Sequence, residues 1–200
     1  MISIRKATPD DEKDFVDLIL ISAPYFPFLF GDSVIEMLKD LFQHSSNLFS
    51  YEHVTFLHIH GKTVGMLLGY DWRVKKMESL RTGFLMFKNI GVTLLIKIQT
   101  FMRFNMRIGG VSRDEYYISN IAVYPEYRGK GYGKKLMLEA ERQAKRMGAR
   151  KIVLDVEKDN IRAIHFYKKL NYKIQMDFSI PLHRNDVLRF LRMIKEVNTS

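Results

Sequence analysis

Residues 118–135 read Ile-Ser-Asn-Ile-Ala-Val-Tyr-Pro-Glu-Tyr-Arg-Gly-Lys-Gly-Tyr-Gly-Lys-Lys, and no other stretch restricts the fold as much. The run 116–123 is rich in β-branched and aromatic residues and predicts a buried strand. Pro125 turns the chain, and three alternating glycines follow. Residues 131–147 then predict a helix, with Leu136, Ala140, Ala144 and Met147 on one apolar face and Gly148 as its C-terminal stop. A strand that passes through a glycine loop into a helix sets that helix's N-terminus beside the strand end. The helix start offers unpaired N–H groups and a partial positive charge. Gly129, Gly131 and Gly133 lack Cβ, so their backbone can approach a ligand closely. Such a corner suits a phosphate or pyrophosphate. Arg128, Lys130, Lys134 and Lys135 add charge around it.

Two common phosphate loops do not fit. A Walker A loop needs a hydroxyl residue after its lysine, and Lys134 is followed by Lys135. A dinucleotide fingerprint needs G-x-G-x-x-G directly after the strand. Here Tyr-Pro-Glu-Tyr-Arg intervenes, and the pattern is R-x-x-G-x-G at Arg128, Gly131 and Gly133.

The remaining elements are legible by period and punctuation. Residues 2–6 alternate as a first strand. Thr8-Pro9-Asp10-Asp11 opens a helix that buries Phe15, Leu18, Ile19 and Ser22. A second helix starts at Asp32 or Ser33, with Met37, Leu38, Leu41 and Phe42 inward. Segments 54–60 and 63–72 form a hairpin about Gly61-Lys62. Residues 151–156 predict a strand, 160–170 a helix, and 172–179 and 187–197 two further strands. Strand and helix alternate in the second half, which implies a parallel pair with a crossover, while the early hairpin implies antiparallel strands. The expected fold class is α/β with a mixed sheet and helices on both faces.

At this point the sequence resembles the GNAT superfamily of acetyl-CoA-dependent N-acetyltransferases. Two motifs carry the resemblance: Val123-x-Pro125-x-x-Arg128-Gly129-x-Gly131-x-Gly133, and Asn160-x-x-Ala163-x-x-Phe166-Tyr167-x-x-Leu170-x-Tyr172. The clear match covers about 115–174, and the first 72 residues agree in element order only. Its flavour is that of ribosomal-protein and peptide α-N-acetyltransferases, through Asn120-Ile-Ala-Val123 and Leu154-Asp-Val156. A length of 200 residues suits one domain over 1–200, and the resemblance implies a GNAT-like acyl-CoA N-acyltransferase fold with acetyl-CoA as co-substrate. It implies that Arg128, Gly129, Lys130, Gly131, Tyr132, Gly133 and Lys134 hold the pyrophosphate. It implies that the strand with Ile121, Ala122 and Val123 pairs with the pantetheine arm. It further implies that Asn160 touches the cofactor and that Tyr167 protonates the departing thiolate.

The chemistry so implied is attack of a neutral amine on a thioester. A lysine amine has a pKa near about 10.4 and an α-amine near about 8, so a base or water relay helps. Asp155 is the first candidate, twelve positions before Tyr167, where related peptide acetyltransferases have a glutamate. Glu157, two residues on, faces the same side if the strand continues, and Glu115 is a third option. Backbone N–H on the Ile121–Ala122 strand can hold the oxyanion. The chain has no cysteine. That excludes a cysteine thioester, a disulfide scaffold and a zinc–thiolate site, and direct attack in a ternary complex is the natural course. His58 and His60 would share a strand face, but no third ligand stands at a suggestive spacing, so no metal is expected. The second reading is a non-catalytic acyl-CoA-binding or regulatory module.

Net charge is +10, and residues 73–113 hold nine basic residues and one acid, Glu78. The body is nearly neutral and carries one basic, apolar-rich helical insertion before the cofactor strand, with breaks expected at Gly83 and Gly91. The insertion reads as a wall of the acceptor pocket, as a homodimer element, or as a surface for an anion. A membrane surface is allowed but not favoured, and nucleic acid is not expected, since no nucleic-acid motif accompanies the charge. Phe84, Leu85 and Phe87 belong to its apolar set, with Leu94, Leu95, Ile98, Phe101, Met102 and Phe104. Lys88, Lys97, Arg103 and Arg107 interrupt that apolar run, which argues against a spanning helix. The N-terminus carries no apolar leader, and a cytoplasmic protein is expected. No motif names the amine acceptor.

Overall fold

A computed structural model describes residues 1–90, 108–182 and 186–197. Seven strands form one sheet: β1 (Ile2–Lys6), β2 (Val54–Ile59), β3 (Lys62–Asp71), β4 (Glu115–Val123), β5 (Lys151–Glu157), β6 (Lys173–Pro181) and β7 (Val187–Glu196). Their order is β1-β2-β3-β4-β5-β7-β6. Only β4 and β5 are parallel, and all other neighbours are antiparallel. The helices are α1 (Glu12–Ser22), α2 (Phe26–Phe30), α3 (Val34–Gln43), α4 (Trp72–Ile90), α5 (Tyr132–Arg146) and α6 (Ile161–Lys169). The mixed α/β class is as the sequence indicates. Among the described residues no single helix is long and apolar enough to cross a membrane.

Alternation along the central strands feeds two cores. Val54, Phe56, Met66, Leu68 and Ala122 pack against Phe15, Leu18, Ile19, Leu38 and Phe42 of α1 and α3. Phe15 and Phe42 stack at 4.3 Å. On the opposite face Val64, Leu67, Tyr116 and Ile118 meet Leu136, Met137, Ala140 and Ala144 of α5. Each such buried aliphatic or aromatic side chain contributes about 1.5–3 kcal/mol. At the entry to α1, Asp11 takes the Thr8 N–H (2.8 Å) and both Arg5 nitrogens (2.7 and 2.6 Å). These bonds hold its carboxyl down at about 2.

Several details differ from the expectations. Met147 is 38% exposed, because α5 ends at Arg146 and the C-terminal turn carries Met147 off the buried face. Ser22 is only half-buried. The short α2 has no periodic signal, since five residues of Phe-Pro-Phe-Leu-Phe are too few to show a period. His58 and His60 do not share a strand face, because His60 sits in the β2–β3 turn at φ +49°. The third strand stops at Asp71, whose carboxylate accepts the N–H of Arg73 and Val74 and so caps α4 from Trp72 onward. Gly83 does not break α4. Its missing side chain leaves open space on the inner face of the helix, as a Cβ there would meet nothing within 4 Å. Leu85 and Met86 are buried, whereas Phe84 and Phe87 face outward. The expected break at Gly91 and the apolar residues 94–104 lie outside the described residues.

Candidate active site

The geometry that matters is a fork in the sheet. The β4–β5 pairing runs from Glu115↔Lys151 to Ile118↔Leu154 and stops. Beyond it, β4 stays with β3, at Asn120↔Leu68, Ile121↔Leu67, Ala122↔Met66 and Val123↔Gly65. Meanwhile β5 stays with β7, at Asp155↔Arg192, Val156↔Leu191 and Glu157↔Phe190. A bulge sets Ser119 between the Gly69↔Ile118 and Leu68↔Asn120 pairs, at the place where β4 departs. Bulges bend and twist a strand, and here the bend frees one edge of residues 119–123. Gly65 lets β3 follow, because a Cβ there would lie 2.6 Å from the Ala122 carbonyl oxygen.

A cavity of about 660 Å³ fills the fork. Ile121, Ala122 and Val123 line it from β4, and Arg128, Gly129, Gly131, Tyr132, Gly133 and Lys134 from the loop and the start of α5. Gly131 caps α5 in the left-handed region at φ +79°, and Gly129 lies at φ +77°, conformations that side chains disfavour. The first N–H groups of α5 have no intrahelical acceptor and lie at this wall. Asn160 stands at the second helix start. Its Oδ1 accepts the Ala163 N–H at 3.1 Å and caps α6, while the residue also lines the cavity. Two helix N-termini, Lys134 and Arg162 thus border one cleft, a positive frame suited to an extended polyanion.

Of the sequence-predicted binding residues, Lys130 alone does not line the cleft. Its ammonium donates to the Glu126 carbonyl (3.1 Å) and sits 5.5 Å from the centre of the Tyr127 ring. Local contacts are close enough to hold the side chain on the outside of its own turn. Arg128 lines the cleft, with its Nε donating to the Val123 carbonyl at 3.1 Å. That bond ties the loop to the strand end.

Tyr167 is buried at the cleft, 7% exposed, between Phe166 and Tyr172. Burial pushes its phenol well up, so it stays protonated. Glu157 is half-buried at the same cleft, and burial, with Asp159 nearby, raises its carboxyl. Among the described residues its carboxylate has no side-chain partner.

Asp155, the first candidate base, is held differently. Its side chain is 1% exposed. Its Oδ1 accepts from Arg192 Nε (2.8 Å), and its Oδ2 accepts from Arg192 Nη2 (3.0 Å), Gly109 N–H (3.1 Å) and Tyr117 OH (3.2 Å). Through these bonds one buried carboxylate braces β5 against β7 and β4. Glu115, the third option, is buried away from the cleft and accepts the Ser112 N–H at 2.8 Å.

Sequence reasoning missed Tyr25 and Phe190, whose rings meet edge to face at 5.8 Å and form the inner wall. The aromatic run 25–30 was a signal for the first. Nothing local marks Phe190, which reaches the site only because β7 inserts beside β5.

The acetyltransferase (GNAT) family profile matches residues 17–172. N-alpha-acetyltransferase 30 of Schizosaccharomyces pombe is 34% identical over 76 residues, 38% of this chain and 51% of that one. The chain spans about half the length of the curated relatives it matches first. The N-acetyltransferase of Staphylococcus aureus Mu50 superposes with a TM-score of 0.64 at 20% identity, over 96% of this chain and 100% of that one. YncA of Salmonella typhimurium, a putative acetyltransferase solved with its cofactor acetyl-CoA, gives 0.62 at 15% identity, over 100% and 95%. The profile spans both motifs and the fork between them, and the chain belongs to the acetyltransferase (GNAT) family.

Proposed function

We propose that the protein transfers the acetyl group of acetyl-CoA to a primary amine by direct attack within a ternary complex. The observation that carries this reading is the unpaired edge of β4, bordered by two helix N-termini and ending beside Tyr167 and Glu157. A free strand edge can pair with the amides of a pantetheine arm as another strand would. The start of α5 faces its phosphates.

The neutral amine attacks the thioester carbonyl, and a C–N bond forms. Charge develops on the carbonyl oxygen, where a β4 backbone N–H can meet it. Glu157 takes the amine's proton, directly or through one water, and its raised pKa makes it the better base. The C–S bond then breaks and the sulfur leaves as a thiolate, which takes a proton from water while Glu157 returns the amine's proton to water, giving coenzyme A and the N-acetyl amine. Tyr167 supplies the hydrogen bond to that sulfur. Its raised pKa keeps the proton available but makes full transfer to a thiolate uphill, so its contribution is greatest as the bond breaks. Cysteine is absent, so no enzyme thioester intervenes.

Thiol release from acetyl-CoA across a panel of amines and peptides tests the reading. Amine-dependent release with a matching N-acetyl product supports it. Tight coenzyme A binding with no transfer to any amine would assign the chain to acyl-CoA binding alone.

A further inference from the structure

A second chamber adjoins the cleft at its inner wall. Tyr25, Ser119, Asn120, Asp155 and Phe190 also line this chamber of about 80 Å³. Its far wall is the inner face of α4, at Lys75, Ser79, Thr82, Gly83 and Met86. Phe26, Phe30, Phe49, Tyr70 and Tyr117 enclose the rest.

Of the α4 polar side chains that line the chamber, Ser79 and Thr82 are committed and Lys75 is not. Ser79 donates to the Lys75 carbonyl. Thr82 donates to the Glu78 carbonyl (2.9 Å) and accepts the Leu48 N–H (2.9 Å). The Lys75 ammonium has no hydrogen bond or ion pair among the described residues. Burial lowers its pKa, and Asp155 opposes that lowering from a distance. Asp155, the one carboxylate lining the chamber among the described residues, is already held by Arg192. Residues 91–107, 183–185 and 198–200 contain no Asp or Glu side chain that could supply another. Among the described residues Lys75 is the one cation lining the chamber, Asp155 is already engaged by Arg192 from outside that lining, and a partly buried unpaired charge is costly.

We propose that this chamber seats the acceptor, and that the acceptor is a short amino carboxylate: its amine faces the acetyl-CoA cleft past Ser119 and Asn120, and its carboxylate rests on Lys75. This rests on the acetyl-transfer reading. Aromatic walls suit the methylenes between the two ends, and the volume limits the chain to a few of them. A diamine would meet Lys75 with like charge, and an uncharged amine would leave it unpaired.

The test titrates 4-aminobutyrate, butylamine and 1,4-diaminobutane into the full chain saturated with coenzyme A, by calorimetry. The same amines are then assayed for transfer from acetyl-CoA. The expected result is that 4-aminobutyrate binds at least about tenfold more tightly than butylamine, and diaminobutane more weakly than either. Lys75→Met erases the first difference, and Lys75→Glu turns the preference toward the diamine. Gly83→Leu fills the chamber and abolishes amino-carboxylate binding. Coenzyme A affinity verifies the fold of each variant. Equal affinity for the first two amines, or a preference that survives Lys75→Met, overturns the assignment. Carboxylate-selective binding without N-acetyl product leaves the chamber standing and removes the transfer reading. Product without selectivity does the reverse.

A separate observation concerns the other face of α4. Met77, Leu80, Phe84 and Phe87 recur at helical spacing and are 79%, 86%, 67% and 44% exposed. Arg73, Lys76, Arg81 and Lys88 are exposed with them. The helix's one acid, Glu78, points inward to His53 at 2.7 Å. We infer that this face lies on an anionic bilayer. Apolar side chains enter the acyl boundary while the flanking cations meet headgroups. A two-fold pairing of two copies would set the same cations against each other. Co-sedimentation with vesicles of equal phosphatidylglycerol and phosphatidylcholine should retain the protein at low salt, and phosphatidylcholine alone should not. Leu80→Ser with Phe84→Ser should reduce retention about tenfold. No retention, or retention equal in the double variant, overturns the inference. So does a lipid-free dimer that the same substitutions dissolve.

Discussion

Replacing Asp155 by asparagine separates bracing from catalysis. The side chain is 1% exposed, and Arg192, its partner, is 12% exposed. Asparagine keeps one acceptor oxygen, but its NH2 group then faces the Arg192 donors, and the arginine charge is left in the interior uncompensated. Removing one partner of a buried pair costs about 3–5 kcal/mol. For a domain of this size each kcal/mol moves Tm by about 2–4 °C, so the loss is about 6–20 °C. Urea unfolding should show a lower midpoint with the slope retained. The activity that remains should keep the pH–rate shape of the wild type. Glu157→Gln should give the opposite pattern, with stability within about 1 kcal/mol of wild type and the limb of the pH–rate profile that reports the base lost. A loss under about 1 kcal/mol in Asp155→Asn, together with a flattened limb, would refute the reasoning and return the base to Asp155.

Three further outcomes follow. Tyr167→Phe should lower kcat about 100-fold with coenzyme A affinity nearly unchanged, and an unchanged kcat removes the phenol from the leaving-group step. Gly65→Ala sets a methyl 2.6 Å from the Ala122 carbonyl oxygen, so β4 must shift. The KM for acetyl-CoA should rise about tenfold, and a wild-type KM would show that the free edge is not what the arm pairs with. Asp11 is held down from 3.8 to about 2 by Arg5 and Thr8. The lowered carboxyl contributes stability above its unfolded pKa, and that contribution is lost as pH falls through its folded value. With Arg5 partly exposed, the term is on the order of 1 kcal/mol. Asp11→Asn should therefore cost stability at neutral pH and little near pH 2, as denaturant titrations at the two pH values will establish.

The elements that could be read along the chain are those whose causes are local. A glycine at φ +79° before an apolar stripe specifies where α5 begins, and Asn160 caps α6 through a residue three positions on. Both motifs therefore pointed to the cleft, and every binding residue so derived lines it except Lys130. Where the reading went astray, the deciding contact was distant or too short to be periodic. Along the chain Asp155 reads as a strand-end carboxylate, and its pairing with Arg192, 37 positions away, is set by the fold.

By itself, then, the sequence determined that a glycine loop and a capped helix would follow two adjacent strands, because caps, turns and periodicity act within a few residues. Tertiary structure alone decided three things. It parted β4 from β5 after Ile118 and Leu154, inserted β7 to carry Phe190 and Arg192 to the site, and turned Lys75 inward while Leu80 and Phe84 face out. Each depends on which strand pairs with which and on which face of a helix meets the sheet. Those choices are made by competition among long-range contacts, and no short stretch of chain encodes them.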